Sequence, residues 1–165
     1  MPLGVFMKKI LLLVLLGLLF FSSVCFAQDA IEVGGALVYN PLLFNAPGLG
    51  GGINLAFFSN ITDSFGVGYY IDLAFGPKDM KTFDVLIAPY YAFKLTEKLC
   101  MPVSAGLLLG IFFLGYGGNI TLQYAITPNI SIFGRFQCVY AYFFVPGVSA
   151  ETLIMSPCIG VGFRF

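Results

Sequence analysis

Charged residues make up 10% of this chain and histidine is absent, so any chemistry falls to carboxylates, guanidinium groups, amides and thiols. The commonest general base and the commonest metal ligand are both missing. Glu32, Asp72 and Asp84 are the acid–base candidates, but they belong to different segments and different levels, which argues against a paired-carboxylate site. No catalytic residue, cofactor or metal is therefore expected. The other polar residues of interest are Asn54, Tyr70, Lys94, Asn119, Thr121, Gln123, Arg135, Gln137 and Arg164. They alternate with other residues along their segments and are interspersed with glycine, alanine and serine. This is the spacing of a polar inner face, and Glu32, Asp72, Gln123, Arg135, Gln137 and Arg164 are its expected network.

The elements that position this face are strands. In the last stretch, Pro157, Ile159, Val161, Phe163 and Phe165 share one side, and Ser156, Cys158, Gly160, Gly162 and Arg164 share the other. The pattern is clearest in 65–75, where Phe65, Val67, Tyr69, Ile71, Leu73 and Phe75 form a stripe opposite Gly66, Gly68, Tyr70, Asp72 and Ala74. No amphipathic helix has period two. The same reading gives strands over 30–40, 50–58, 65–75, 83–95, 99–110, 117–126, 130–143 and from 151 to the end. Small and polar residues are expected inside and large apolar ones outside. Pro89 must then occupy a bulge or a position whose N–H is not needed.

Hydrophobic residues are 59% of the chain, the net charge is zero and the mean hydropathy is +0.93, too apolar for a typical soluble domain. Neither a basic excess nor an acidic run is present, so no nucleic-acid partner is expected. Met7-Lys8-Lys9, the run Ile10 to Phe21 and the segment ending at Ala27 read as a secretory signal peptide. Residues 1–27 are expected to be removed, leaving one domain over 28–165. A retained anchor is the rival reading, and a lipidated Cys25 lacks the preceding pattern. The mature chain keeps Cys100, Cys138 and Cys158, an odd number that cannot complete a disulfide framework; they read as small apolar filler.

Ile-Thr-Asp-Ser-Phe, Leu-Thr-Glu-Lys-Leu and Ile-Thr-Pro-Asn-Ile, around Thr62, Thr96 and Thr127, are a weak repeat marking three short turns. Four longer connections alternate with them, including 112–116 and 144–150. An even number of strands with short turns on one side and longer loops on the other fits a small transmembrane barrel. Phe57, Phe65, Phe93, Phe163 and Phe165 fall near one set of strand ends, and Tyr39, Phe75, Phe83, Tyr116, Tyr140 and Tyr142 near the other. Such placement suits two interfacial girdles.

On its closing strand and overall architecture the chain resembles the small bacterial outer-membrane barrel superfamily that includes the OmpA membrane domain, OmpX and OmpW. The expected fold is therefore all-β, an eight-stranded antiparallel up-and-down transmembrane β-barrel in the outer membrane. The resemblance implies that Val161, Phe163 and Phe165 form the signal read by the outer-membrane assembly machinery. It also implies outer-membrane lipid as the surroundings, and a monomer is expected. Closure sets the first strand beside the eighth, so Glu32 and Arg164 are expected to pair across the seam. A non-enzymatic structural or surface protein with a filled lumen is the leading expectation, and a narrow channel for small or apolar solutes, as in OmpW-like barrels, is the alternative. The sequons at Asn60 and Asn129 read as turn chemistry.

Overall fold

The computed structural model describes residues 29–40, 48–75, 81–110, 113–145 and 148–165; the expected signal peptide lies outside them. Eight strands follow in chain order: β1 Ala30–Asn40, β2 Gly48–Asn60, β3 Phe65–Phe75, β4 Lys81–Lys94, β5 Leu99–Gly110, β6 Phe113–Ala125, β7 Ile130–Val145 and β8 Val148–Arg164. Each pairs antiparallel with its chain neighbours, and β1 pairs with β8, so the sheet closes into an up-and-down barrel. The expected fold is the observed one. The strands on the long-loop side run further than the sequence suggested. β6 starts at Phe113, not Gly117, β7 continues to Val145, and β8 begins at Val148. Most of the expected connections 112–116 and 144–150 is therefore strand, because aromatic and β-branched residues such as Phe113, Tyr116 and Val145 favour a pleated ladder.

The three short turns share one geometry, which explains the repeat. In each, the threonine hydroxyl oxygen accepts the amide three residues on: Phe65 N to Thr62, Leu99 N to Thr96 and Ile130 N to Thr127, all at 3.0 Å. Each threonine amide in turn donates to the carbonyl of that same residue, at 2.9, 3.0 and 3.1 Å. Threonine is used here because its hydroxyl satisfies a backbone group that a two-strand ladder leaves open.

Pro89 sits in a paired strand without a bulge. It is opposite Val67 on β3, while the β4–β5 ladder is interrupted from Ile87 to Tyr90 and resumes in the same register. Pro102 and Pro157 repeat the arrangement. Each keeps its ladder on one side, to Ala92 and Phe136, and faces an interruption on the other, in β5–β6 and β8–β1. The missing N–H thus always points to a gap.

Lateral pairing runs from Ile31 through Phe57, Tyr69, Ile87, Leu107, Tyr116, Tyr140 and Leu153. It returns to β1 about ten residues above its start, the stagger that makes strands tilt in a closed barrel. One level of the interior is therefore assembled from residues at different heights on their strands.

Outside, Leu37, Ile53, Leu107, Ile120, Phe136 and Ile159 are exposed. Inside, the core is more apolar than expected: Phe58, Tyr70, Leu86, Tyr90, Leu108 and Phe133 are all buried. A tilted barrel still has space between its small residues, and these rings and Leu side chains fill it. Phe58 meets Tyr70 and Tyr90 edge to face, with centroids 5.6 and 5.5 Å apart. Glycines paired with them on the neighbouring strand make room, Gly160 opposite Phe133 and Gly66 opposite Tyr90. A Cβ on Gly160 would lie 2.7 Å from the Phe133 ring and 2.1 Å from Val33 O.

Candidate functional site: the polar lumen

The alternation of β7 carries Ser131, Phe133, Arg135, Gln137 and Val139 inward, all buried. Arg135 crosses the interior. Its Nε donates to Thr121 Oγ1 at 3.0 Å on neighbouring β6, its Nη1 donates to Asn54 Oδ1 at 2.6 Å, and its Nη2 bonds and ion-pairs with Glu32. The guanidinium lies over Tyr70 and Phe133, 4.7 and 4.8 Å from their centroids. Aromatic faces favour a cation that burial has stripped of water. Asn54 then donates from Nδ2 to Asp72 Oδ1 at 2.8 Å, and Gln137 Nε2 donates to Asp72 Oδ2 at 2.6 Å. A continuous network thus joins β1, β2, β3, β6 and β7 through the middle of the barrel.

Five of the six expected network residues are buried: Glu32, Asp72, Gln123, Arg135 and Gln137. Gln123 belongs to a separate group toward the short-turn end, donating to Ser131 Oγ at 2.8 Å and accepting from the Cys100 thiol at 3.3 Å. Arg164 is the exception. It stands opposite Ala30 at the rim, exposed, and the partner of Glu32 is Arg135, not Arg164. A rim cation is solvated without a partner, whereas a cation in the dry interior needs one. Lys94, also expected inside, is exposed at the same rim. Asp84, Asn119 and Thr121 are buried as expected. Phe58, Leu86, Tyr90 and Leu108 were not among the expected lumen residues; carrying the alternation of β2, β4 and β5 through to these positions would have found them, whereas Ser156, on the small-residue face of β8, is buried as expected.

Val161, Phe163 and Phe165 all face outward and are exposed. Their strand is anchored at its end by Arg164 N donating to Asn129 O at 2.9 Å and Phe165 N to Asp29 O at 3.1 Å. Of the residues expected in the girdles, Tyr140 lies 5.6 Å from Tyr116 and 5.5 Å from Tyr142, and Phe93 lies 4.9 Å from Tyr91. Cys100, Cys138 and Cys158 are free thiols.

A closed eight-stranded antiparallel barrel, apolar outside and hydrogen-bonded across its lumen, has the fold of the small bacterial outer-membrane barrels. Solved structures place it there. Neisserial surface protein A (NspA) superposes with a TM-score of 0.67 at 14% identity, over 82% of this chain and 96% of that one. Ail, the attachment invasion locus protein of Yersinia pestis, does so at 0.56 and 14%, over 84% and 99%. No protein-family model matches the chain, and the comparison with curated proteins also finds no match. At such identity the likeness is one of fold.

Proposed function

We propose that the protein is an integral outer-membrane barrel with a structural or surface role, without enzymatic activity and without an open pore. The observation that carries this reading is the Arg135 cross-brace: a guanidinium bonded to β1, β2 and β6 and lying over the rings of Tyr70 and Phe133. Such a brace obstructs the passage that a channel needs. Outside it, a surface of exposed Leu, Ile, Val and Phe suits hydrocarbon, with the Tyr and Phe clusters suited to interfaces.

Residues 1–27 would serve as the export leader, and Val161, Phe163 and Phe165 as the signal for the assembly machinery. The protein would act as a monomer in outer-membrane lipid, with its short threonine turns on the periplasmic side. Against enzymatic activity stand the absence of histidine and the commitment of Glu32 to Arg135.

The test is conductance of the mature chain, refolded in detergent and inserted into a planar bilayer. Silence is expected where heat-modifiable gel migration confirms folding. Discrete openings from the folded protein would establish the narrow channel instead.

A further inference from the structure

Three carboxylates and one guanidinium are buried among the described residues, and the Glu32–Arg135 pair accounts for one of the carboxylates. The other two, Asp72 and Asp84, face each other directly across β3 and β4. They are 8% and 5% exposed. Side chains directly opposite in an antiparallel pair are close neighbours, and like charges there repel. Asp72 receives two neutral donors, from Asn54 and Gln137. Asp84 has neither a donor nor a cation among the described residues.

Asp72 and Asp84 line a cavity of about 10 Å³, together with Gln137, Ser156 and apolar neighbours. That is room for about one water-sized particle. Gln137 is 3% exposed, and its Oε1 has no partner. Its Nε2 is 2.6 Å from Asp72 Oδ2, so turning the amide over would set oxygen against the carboxylate; the donor–acceptor pairing fixes its orientation. Gln137, with its buried and unpartnered carbonyl oxygen, and Asp84, with its unpartnered carboxylate, therefore border one small space.

We propose that this cavity is a binding site for a single divalent cation of the calcium type. Two carboxylates balance a double positive charge. The groups free to coordinate from these residues, the carboxylates, the Gln137 carbonyl and the Ser156 hydroxyl, are all oxygens, since Gln137 Nε2 is committed to Asp72; oxygen donors select hard cations over zinc or copper. Two bidentate carboxylates with Gln137 Oε1 and Ser156 Oγ supply six oxygens, within the range of about 6–8 that calcium takes, whereas magnesium demands near-octahedral geometry and keeps its waters. No three His, Cys, Asp or Glu side chains converge among the described residues, so the amide and hydroxyl must complete the set. This is why the sequence, searched for acidic and histidine clusters, led to the expectation of no metal. The site is internal to the barrel and does not depend on which membrane holds it.

The probe is calcium chloride, added to the refolded mature chain in detergent near neutral pH and measured by equilibrium dialysis. One calcium per chain is expected. It should be accompanied by a rise of about 5 °C in the midpoint of heat-modifiable migration at about tenfold excess over Kd. Asp84→Asn and Gln137→Met should each remove both responses, while Asp63→Asn in an exposed turn should change neither. Because Asp84→Asn relieves repulsion, it should fold at least as well as the parent without calcium, keeping the comparison interpretable. Absence of binding by the folded parent would overturn the proposal and leave a proton shared by the two aspartates. Binding that persists in Asp84→Asn would overturn it too, assigning the calcium to surface carboxylates.

Discussion

Replacing Arg135 with methionine keeps much of the side chain's length but removes three hydrogen bonds and, among the described residues, the one cation paired with Glu32, which is 2% exposed. Breaking a buried pair from one side costs about 3–5 kcal/mol, because the remaining charge is stranded in a dry interior. Glu32→Gln leaves an acceptor for the guanidinium, and Asn54 and Thr121 still hold it, so a smaller loss of about 2–3 kcal/mol is expected. The double variant strands neither charge. It should lie above the sum of the singles by about 2–3 kcal/mol, the coupling typical of groups in one buried network. Urea unfolding of the refolded barrel, followed by tyrosine fluorescence and gel migration, measures all four corners of the cycle. Additivity of the two substitutions within about 0.5 kcal/mol would refute the reasoning. A second cycle, Glu32→Gln with Arg164→Met, should be additive, since Arg164 is exposed at the rim.

Three further substitutions test the fold. Gly160→Ala places a methyl 2.1 Å from Val33 O and 2.6 Å from Gly34 Cα, both backbone atoms that cannot step aside, and should cost about 2–3 kcal/mol. Gly35→Ala, with nothing within 4 Å of its Cβ, should stay within about 0.5 kcal/mol of the parent in the same urea assay. Thr96→Ala removes the acceptor of the Leu99 and Lys98 amides and should cost about 1 kcal/mol. Hydrogen exchange at Leu99 should quicken, and Thr96→Ser should restore it.

Period-two alternation determined the fold in advance. A strand places successive side chains on opposite faces, so eight alternating segments with large apolar residues on one stripe admit few arrangements besides a closed barrel in lipid. The threonine turns were legible for a similarly local reason, as each satisfies backbone groups within five residues. The prolines were half legible. That Pro89 must face an unneeded N–H followed from chemistry, but the side on which the ladder would open did not.

Partnership inside the lumen was not legible. Sequence proximity across the β1–β8 seam pointed from Glu32 to Arg164. Strand tilt, rim solvation and the reach of a guanidinium across the interior chose Arg135 instead. The same applies to Asp72 and Asp84, twelve positions apart and indistinguishable from separate filler until the β3–β4 register sets them opposite each other. The sequence by itself determined which face each residue occupies, because alternation is a property of one strand. Only the tertiary structure decided which inward residues meet, because that depends on register and stagger summed around the whole barrel.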